Sequence, residues 1–311
     1  MHVLITGGAG FIGSHLCAAA TAAGHRVRVL DDLSTGLRRN LDGVEVDLRV
    51  GTISDPECCD AAMKDIEVVL HLAARGSVPR SLQDPRGTLR TNVDGTATLL
   101  EAAQKAGVRR FVQASSSAVY GIQPGFPRHE ALGLDPRSPY AASKAAAEQL
   151  ARAWHASWGL ETCSLRPFNV YGPRQRADCA YAAVVPKFIQ AALSKTPAEI
   201  HGDGQQSRAF TYVGDVVAGF MAAAHSRSIG RGEAINLAAP DTESVIGLHQ
   251  RIARLTATMI TPNYTPKRAG DVPRSCADLS LARELLDFVP RVGLDEGLAS
   301  TLAWHRHRRG P

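Results

Sequence analysis

The chain has 311 residues, 44% of them hydrophobic, enough to bury one large core or two modest ones without disulfides or metals. Lysine and arginine exceed aspartate and glutamate by 35 to 30, partly through the basic stretch 304–309; this gives no ground for a nucleic-acid partner, although a net charge of +5 suits an anionic ligand. The six cysteines show neither C-x-x-C spacing nor nearby histidine pairs, and no apolar run approaches a membrane span, so the expectation is a soluble, cytoplasmic, metal-free protein with reduced thiols.

In chain order, short apolar runs alternate with helical patterns. Residues 3–6 predict a strand, 11–23 a helix, and 26–30, 44–47 and 68–72 three further strands. A helix over 90–106 and a strand over 110–114 follow. Residues 142–155, rich in Ala, Lys, Glu and Gln, predict the next helix, and 161–166 the strand after it. This alternation implies an α/β fold, a Rossmann doubly wound parallel sheet with crossover helices. Beyond it Pro167, Gly172, Pro173, Pro186, Pro197, Gly202 and Gly204 punctuate short segments, which predicts a smaller C-terminal substrate-binding α/β lobe over the sheet edge. The expected division is a dinucleotide-binding domain over 1–166, including about 210–238, and a substrate lobe over 167–209 and 239–311.

Gly7, Gly10 and Gly13 form G-x-x-G-x-x-G between the first strand and the first helix, with Phe11 and Ile12 inside the motif. Glycines let the backbone turn tightly and approach a pyrophosphate, whose charge the helix N-terminus favours. A loop that merely needs positive φ angles would also collect glycines, but Asp31 closing the next strand weighs against that. An acid there accepts hydrogen bonds from the adenosine ribose hydroxyls and repels a 2′-phosphate, which favours NAD over NADP. Asp32, Ser34, Thr35 and Gly36 are further cofactor candidates. Asp47, placed at the end of the third expected strand and followed by Leu48, is either a partner of the adenine amino group or only a turn former.

Tyr140 and Lys144 stand four apart at a predicted helix start, so a phenol and an ammonium share one face. A free tyrosine titrates near about 10, and neighbouring cations, here Lys144 and a nicotinamide, favour the phenolate and make it a general base. Alone, the pair would read as a surface tyrosine and a solvated lysine. The hydroxyl run Ser115, Ser116 and Ser117, at the carboxyl end of the strand over 110–114, changes that balance, because ligands of open α/β sheets bind at this edge.

These stretches, together with His71-Leu72-Ala73-Ala74, Asn92-Val93-Asp94-Gly95-Thr96, Ser138 to Lys144, Arg166 to Arg174, Gly202-Asp203-Gly204 and Gly270-Asp271, occur in order over nearly the whole chain. In them the chain resembles the extended short-chain dehydrogenase/reductases, specifically the NAD-dependent sugar epimerase/dehydratase branch. The resemblance implies that Ser116, with Ser117 as second candidate, assists proton transfer, that Tyr140 is the base and that Lys144 activates it. It adds Leu72, Ala73, Ala74 and Asn92 to the cofactor site. It implies diphosphate contacts from Asn169 and Arg208, and a phosphate or uridine contact from Arg268. Ser77, Val184, Lys187 and Asp271 are further substrate candidates.

Sugar dehydratases of this branch carry a carboxylate after the hydroxyl residue, where this chain has Ser117 and Ala118. What the resemblance then implies is 4-epimerisation of a UDP-sugar: transient oxidation at carbon 4, with hydride returned to the other face. Gly76, Ala183 and Ser275 fall where small residues of relatives admit an N-acetyl group, with Asn169 and Gln175 as polar neighbours. UDP-GlcNAc/UDP-GalNAc is therefore the preferred pair, ahead of UDP-Glc/UDP-Gal. A dehydratase, a decarboxylase, a UDP-glucuronate 4-epimerase and a catalytically silent NAD sensor are the alternatives, and a homodimer is implied. Pro167, Ala209 and Gly214 depart from the family pattern: Pro167 implies a different pocket floor, and Ala209 and Gly214 a looser loop near the phosphates.

Overall fold

The computed structural model describes residues 1–177, 182–258, 260–267 and 272–307. The first part of the chain runs β1 (His2–Thr6), α1 (Phe11–Ala22), β2 (Arg26–Asp31), β3 (Asp47–Val50), α2 (Pro56–Met63), β4 (Val68–His71), α3 (Val78–Gln83), α4 (Pro85–Leu89), α5 (Gly95–Lys105), β5 (Arg110–Ala114), α6 (Pro139–Trp158) and β6 (Glu161–Pro167). The second runs β7 (Val170–Tyr171), α7 (Val184–Ser194), β8 (Glu199–His201), β9 (Ser207–Arg208), β10 (Thr211–Tyr212), α8 (Val213–His225), β11 (Arg231–Leu237), β12 (Glu243–Ser244), α9 (Val245–Thr256), β13 (Asn263–Thr265), β14 (Arg274–Ser275), α10 (Ser280–Leu286) and α11 (Leu294–His307).

Seven parallel strands form one sheet in the order β11-β6-β5-β4-β1-β2-β3. Its central strands are buried throughout because helices cover both faces. Alternate residues feed opposite cores: Val3 and Ile5 pack with Leu16 of α1 and Phe220 of α8, whereas Leu4 packs with Met63 of α2 and Leu99 and Leu100 of α5. The sheet is the expected Rossmann arrangement. Chain order reverses at β1, which pairs with both β2 and β4 and so opens a crevice at the carboxyl edge between them. A third core, built around Phe188, Ile189, Leu248, Ile252 and Leu298, sits under the later helices α7, α9 and α11.

Several boundaries differ from expectation. The third strand lies at Asp47–Val50 rather than 44–47, paired Arg28↔Asp47 through Asp31↔Val50. It is an edge strand, so its polar, half-exposed pattern has no need of the apolar run that marked Val44 and Val46. Helix α2 was not expected; Asp55 caps it by accepting from the Glu57 amide at 2.9 Å, with Pro56 in the first turn. The helix expected over 90–106 is interrupted by a π-helical turn over Arg90–Asp94. Helix α6 begins three residues earlier than expected, capped by Ser138 Oγ on the Ala141 amide at 3.1 Å, and stops at Gly159 in the left-handed conformation.

Candidate active site

The glycine turn is held where it is by contact, not by a mere need for flexibility. Gly7 has φ +68°, and a Cβ there would stand 2.7 Å from the Ala73 nitrogen; a Cβ on Gly13 would stand 2.1 Å from the Gly7 carbonyl oxygen. Gly10 caps α1 without a side-chain hydrogen bond, so the amides of the first turn, at Phe11 and Ile12, face outward at the crevice. This is a cradle into which a phosphate fits and a side chain does not. Leu72 and Ala73 close its far wall, their amides bonded to the Thr6 carbonyl at 3.1 Å and the Thr6 hydroxyl at 3.2 Å, with Ala74 next along the chain.

Asp31 ends β2 beside this turn. Its carboxylate accepts from the Ala9 amide at 2.9 Å and the Leu33 amide at 2.8 Å; burial raises its pKa, and those two hydrogen bonds oppose the rise. Asp32 is exposed and bonded to Ser34 at 2.6 Å, while Thr35 and Gly36 complete the loop over Ala9. Asp47 and Leu48 are not at this edge. Asp47 opens β3 at its amino end, where its carboxylate holds Arg28 at 2.8 Å and Arg49 at 2.9 Å, so the adenine role expected of it is corrected. The residues that follow β3 at the carboxyl edge are Gly51, bonded to the Asp31 carbonyl at 3.1 Å, then Thr52 and the buried Ile53. A strand boundary shifted by three residues concealed them.

Helix α6 carries Tyr140 and Lys144 to the carboxyl ends of β5 and β6. Lys144 Nζ donates to the Ala114 carbonyl at 2.8 Å, and burial lowers its pKa to about 8 against the opposing charge of Glu148. Tyr140 is hydrogen-bonded to the Ser116 hydroxyl, which opposes the rise in its pKa that burial causes. The depressed phenol expected from sequence is therefore not a property of the protein by itself. Ser116 also caps a 3-10 turn over Ser117–Tyr120, accepting from the Ala118 amide at 3.2 Å. Ser115 is turned the other way, buried and bonded to Glu148. Asn92 sits in the π-helical turn, almost fully buried; it donates to Ser143 Oγ at 2.9 Å and accepts from the Arg75 amide at 2.8 Å, bracing α6 against the loop after β4.

A cleft of about 390 Å³ opens among α7, β8, β9 and the chain around β7, within the size range of small-molecule sites. It brings together Asn169, Ala183, Val184, Lys187 and Arg208 from the expected substrate residues, and adds Glu199, His201, Gln206 and Phe210, which the sequence did not single out. Asn169, at φ +39°, donates to the Ala209 carbonyl at 3.2 Å and to Ser275 Oγ at 3.4 Å, so Ser275 adjoins the cleft through it. Gln175 folds back onto the Val170 carbonyl at 2.9 Å. Gly76 and Ser77 lie on the loop entering α3, which Ser77 caps. Arg268 and Asp271 lie outside the described residues. The loosening expected at Ala209 and Gly214 is not found: the Ala209 amide donates to the Ser275 carbonyl at 2.7 Å, and Asp215 accepts from the Arg291 and Val292 amides. Pro167 pairs with Leu237 at the end of β6. Among the described residues no cluster of three or more His, Cys, Asp or Glu side chains could hold a metal, and no helix is long and apolar enough to cross a membrane.

Known proteins share this fold. The family model described as "NAD dependent epimerase/dehydratase family" matches residues 3–238. A UDP-glucose 4-epimerase of Mycolicibacterium smegmatis is 39% identical over 315 residues, covering 99% of both chains. A UDP-N-acetyl-alpha-D-glucosaminuronate decarboxylase of Bacillus cytotoxicus is 34% identical over 97% of both. The solved structure of a UDP-N-acetylglucosamine 4-epimerase from Methanobrevibacter ruminantium, in complex with UDP-N-acetylmuramic acid, superposes with a TM-score of 0.94 at 35% identity, covering 99% of this chain and 98% of that one.

Proposed function

The chain belongs to the NAD dependent epimerase/dehydratase family, and from that premise we propose that it is a nucleotide-sugar 4-epimerase whose preferred pair is UDP-GlcNAc and UDP-GalNAc, with UDP-Glc and UDP-Gal second. The observation that carries this reading is the meeting of Tyr140, Ser116 and Lys144 at the carboxyl edge of the sheet, with Ser117 and Ala118 where an eliminating enzyme needs a carboxylate. NAD, when bound, would supply reversible hydride acceptance from carbon 4 of the sugar and a positive charge that favours the phenolate.

The chain's own residues divide the remaining work. Gly7, Gly10 and Gly13 would admit the diphosphate of the cofactor at the first turn of α1, and Asp31 would accept from its ribose hydroxyls. Tyr140 Oη accepts the proton of the sugar 4-hydroxyl and later returns it, with Ser116 Oγ in hydrogen-bond contact to share it. Lys144, charged over much of the neutral range, favours the phenolate. Lys187 and Arg208 supply positive charge to a nucleotide diphosphate in the cleft. Gly76 and Ala183 support the choice of an N-acetylated sugar: a Cβ on Gly76 would meet nothing within 4 Å, so its smallness is not imposed by packing.

Incubation with UDP-GlcNAc, UDP-Glc and UDP-glucuronate separately, followed by proton NMR and mass spectrometry, tests the assignment. The expected result is a 4-epimer of unchanged mass, formed fastest from UDP-GlcNAc. Loss of water or carbon dioxide would assign the chain instead to the dehydratases or decarboxylases, and rapid turnover of UDP-glucuronate alone would move the substrate.

A further inference from the structure

Behind Lys144 lies a buried ionic network that neither the cofactor nor the substrate site uses. Glu148, one helical turn beyond Lys144 on α6, accepts from Arg166 of β6 through two bonds, Nη2 to Oε2 at 2.6 Å and Nε to Oε1 at 2.8 Å, and both side chains are 4% exposed. The same carboxylate takes the Ser115 hydroxyl, at the residue immediately before Ser116. Arg166 passes the connection on: its Nη1 donates to Tyr120 Oη at 2.8 Å, and its guanidinium lies 4.8 Å from the Tyr120 ring centroid. Tyr120 Oη donates to Asn236 Oδ1 at 2.8 Å, and Asn236 donates to the Arg128 and Asp278 carbonyls.

An ion pair buried this deeply is expensive, and an apolar pair of like volume would hold α6 against β6 about as well. Its position relative to the Tyr140 and Lys144 face suggests what it is for. Residues 140, 144 and 148 stack on one face of α6, so the carboxylate stands one turn from the ammonium and two from the phenol. We propose that Glu148 is a positioning residue for the acid–base pair: bound to Ser115 and Arg166, it fixes the strand end that presents Ser116 to Tyr140, and its carboxylate stands one helical turn from the Lys144 ammonium on the same face of α6. This rests on the acid–base reading of Tyr140 given above.

The groups that bear on these sites are few. Lys144 faces the Ala114 carbonyl from β5, His71 from β4 and Glu148 from its own helix; His71 is neutral, its pKa lowered to about 3 by burial and then by Lys144. Tyr140 faces Ser116. Glu148 faces Arg166 and Cys163 from β6, where burial keeps the thiol protonated. Among these, Glu148 alone raises the pKa of Lys144 against burial.

The test is ultraviolet titration of the Tyr140 phenolate in NAD-loaded protein, taken as the difference between each background and its Tyr140→Phe counterpart, alongside thermal unfolding. The backgrounds are wild type, Glu148→Gln, and Glu148→Gln with Arg166→Met. The second variant leaves no unpaired buried guanidinium and so keeps the fold where the single change does not. In both, Lys144 loses its proton earlier and the Tyr140 phenolate appears about one pH unit higher than in wild type. A purely structural role would lower the melting temperature and leave the titration unmoved, which overturns the inference. A wild-type Tyr140 that titrates with the other tyrosines overturns the acid–base reading itself, and this inference with it.

Discussion

The sheet edge and the cleft are built on different terms. At the sheet edge the functional side chains are tied to the backbone and to one another: Lys144 to the Ala114 carbonyl, Asn92 to Ser143 and the Arg75 amide, Asp31 to two amides. In the cleft, Lys187, Glu199, His201 and Arg208 stand on one helix and on strands two or three residues long. Chemistry that must place a proton within a fraction of an ångström needs the first kind of support, whereas choice among substrates tolerates the second. Relatives that differ in reaction and in sugar while keeping the fold are what such a division allows.

Substitutions on the two sides should therefore fail differently. Tyr140→Phe should lower kcat by about three orders of magnitude or more while NAD affinity, followed by fluorescence titration, stays near wild type. Gly13→Ala should act one step earlier: its Cβ would collide with the Gly7 carbonyl, separating helix from turn, and the NAD dissociation constant should rise about 10- to 100-fold, about 1–3 kcal/mol of overpacking. Arg208→Ala, in the cleft, should raise KM for the UDP-sugar about 10- to 100-fold with kcat nearly unchanged, the signature of lost binding shared by ground and transition states. Gly76→Leu should be the mildest, shifting the ratio of kcat/KM for UDP-GlcNAc over UDP-Glc by about 10-fold toward the smaller sugar. An Arg208→Ala variant that lost kcat instead would blur the boundary between the two regions.

The same contrast decided what could be read from sequence. Gly7, Gly13, Tyr140 and Lys144 were legible because each is demanded by a local constraint at fixed spacing: a turn that excludes a side chain, a helical face that pairs two groups. Ser115 and Ser116 were equally visible as hydroxyls, but which one faces Tyr140 depends on the turn after β5 and on Glu148, 33 residues beyond Ser115 on α6. Asp47 misled because an edge strand needs no apolar run, so Val44 and Val46 drew the boundary toward themselves. Glu199, His201 and Phe210 carry no motif; only the folding of β8 and the chain after β9 against α7 brings them to one wall. The tie between Glu148 and Arg166 spans 18 residues and crosses from helix to strand, a contact periodicity does not encode.

The most direct test of transient oxidation at carbon 4 is proton NMR of UDP-GlcNAc turned over in heavy water. If the hydrogen lost from carbon 4 is the one returned to its opposite face, the 4-epimer will form with no deuterium on any ring carbon, exchange being confined to the hydroxyl proton that Tyr140 handles. Deuterium at carbon 4 or carbon 5 of the product would contradict it, since that hydrogen would then have come from solvent.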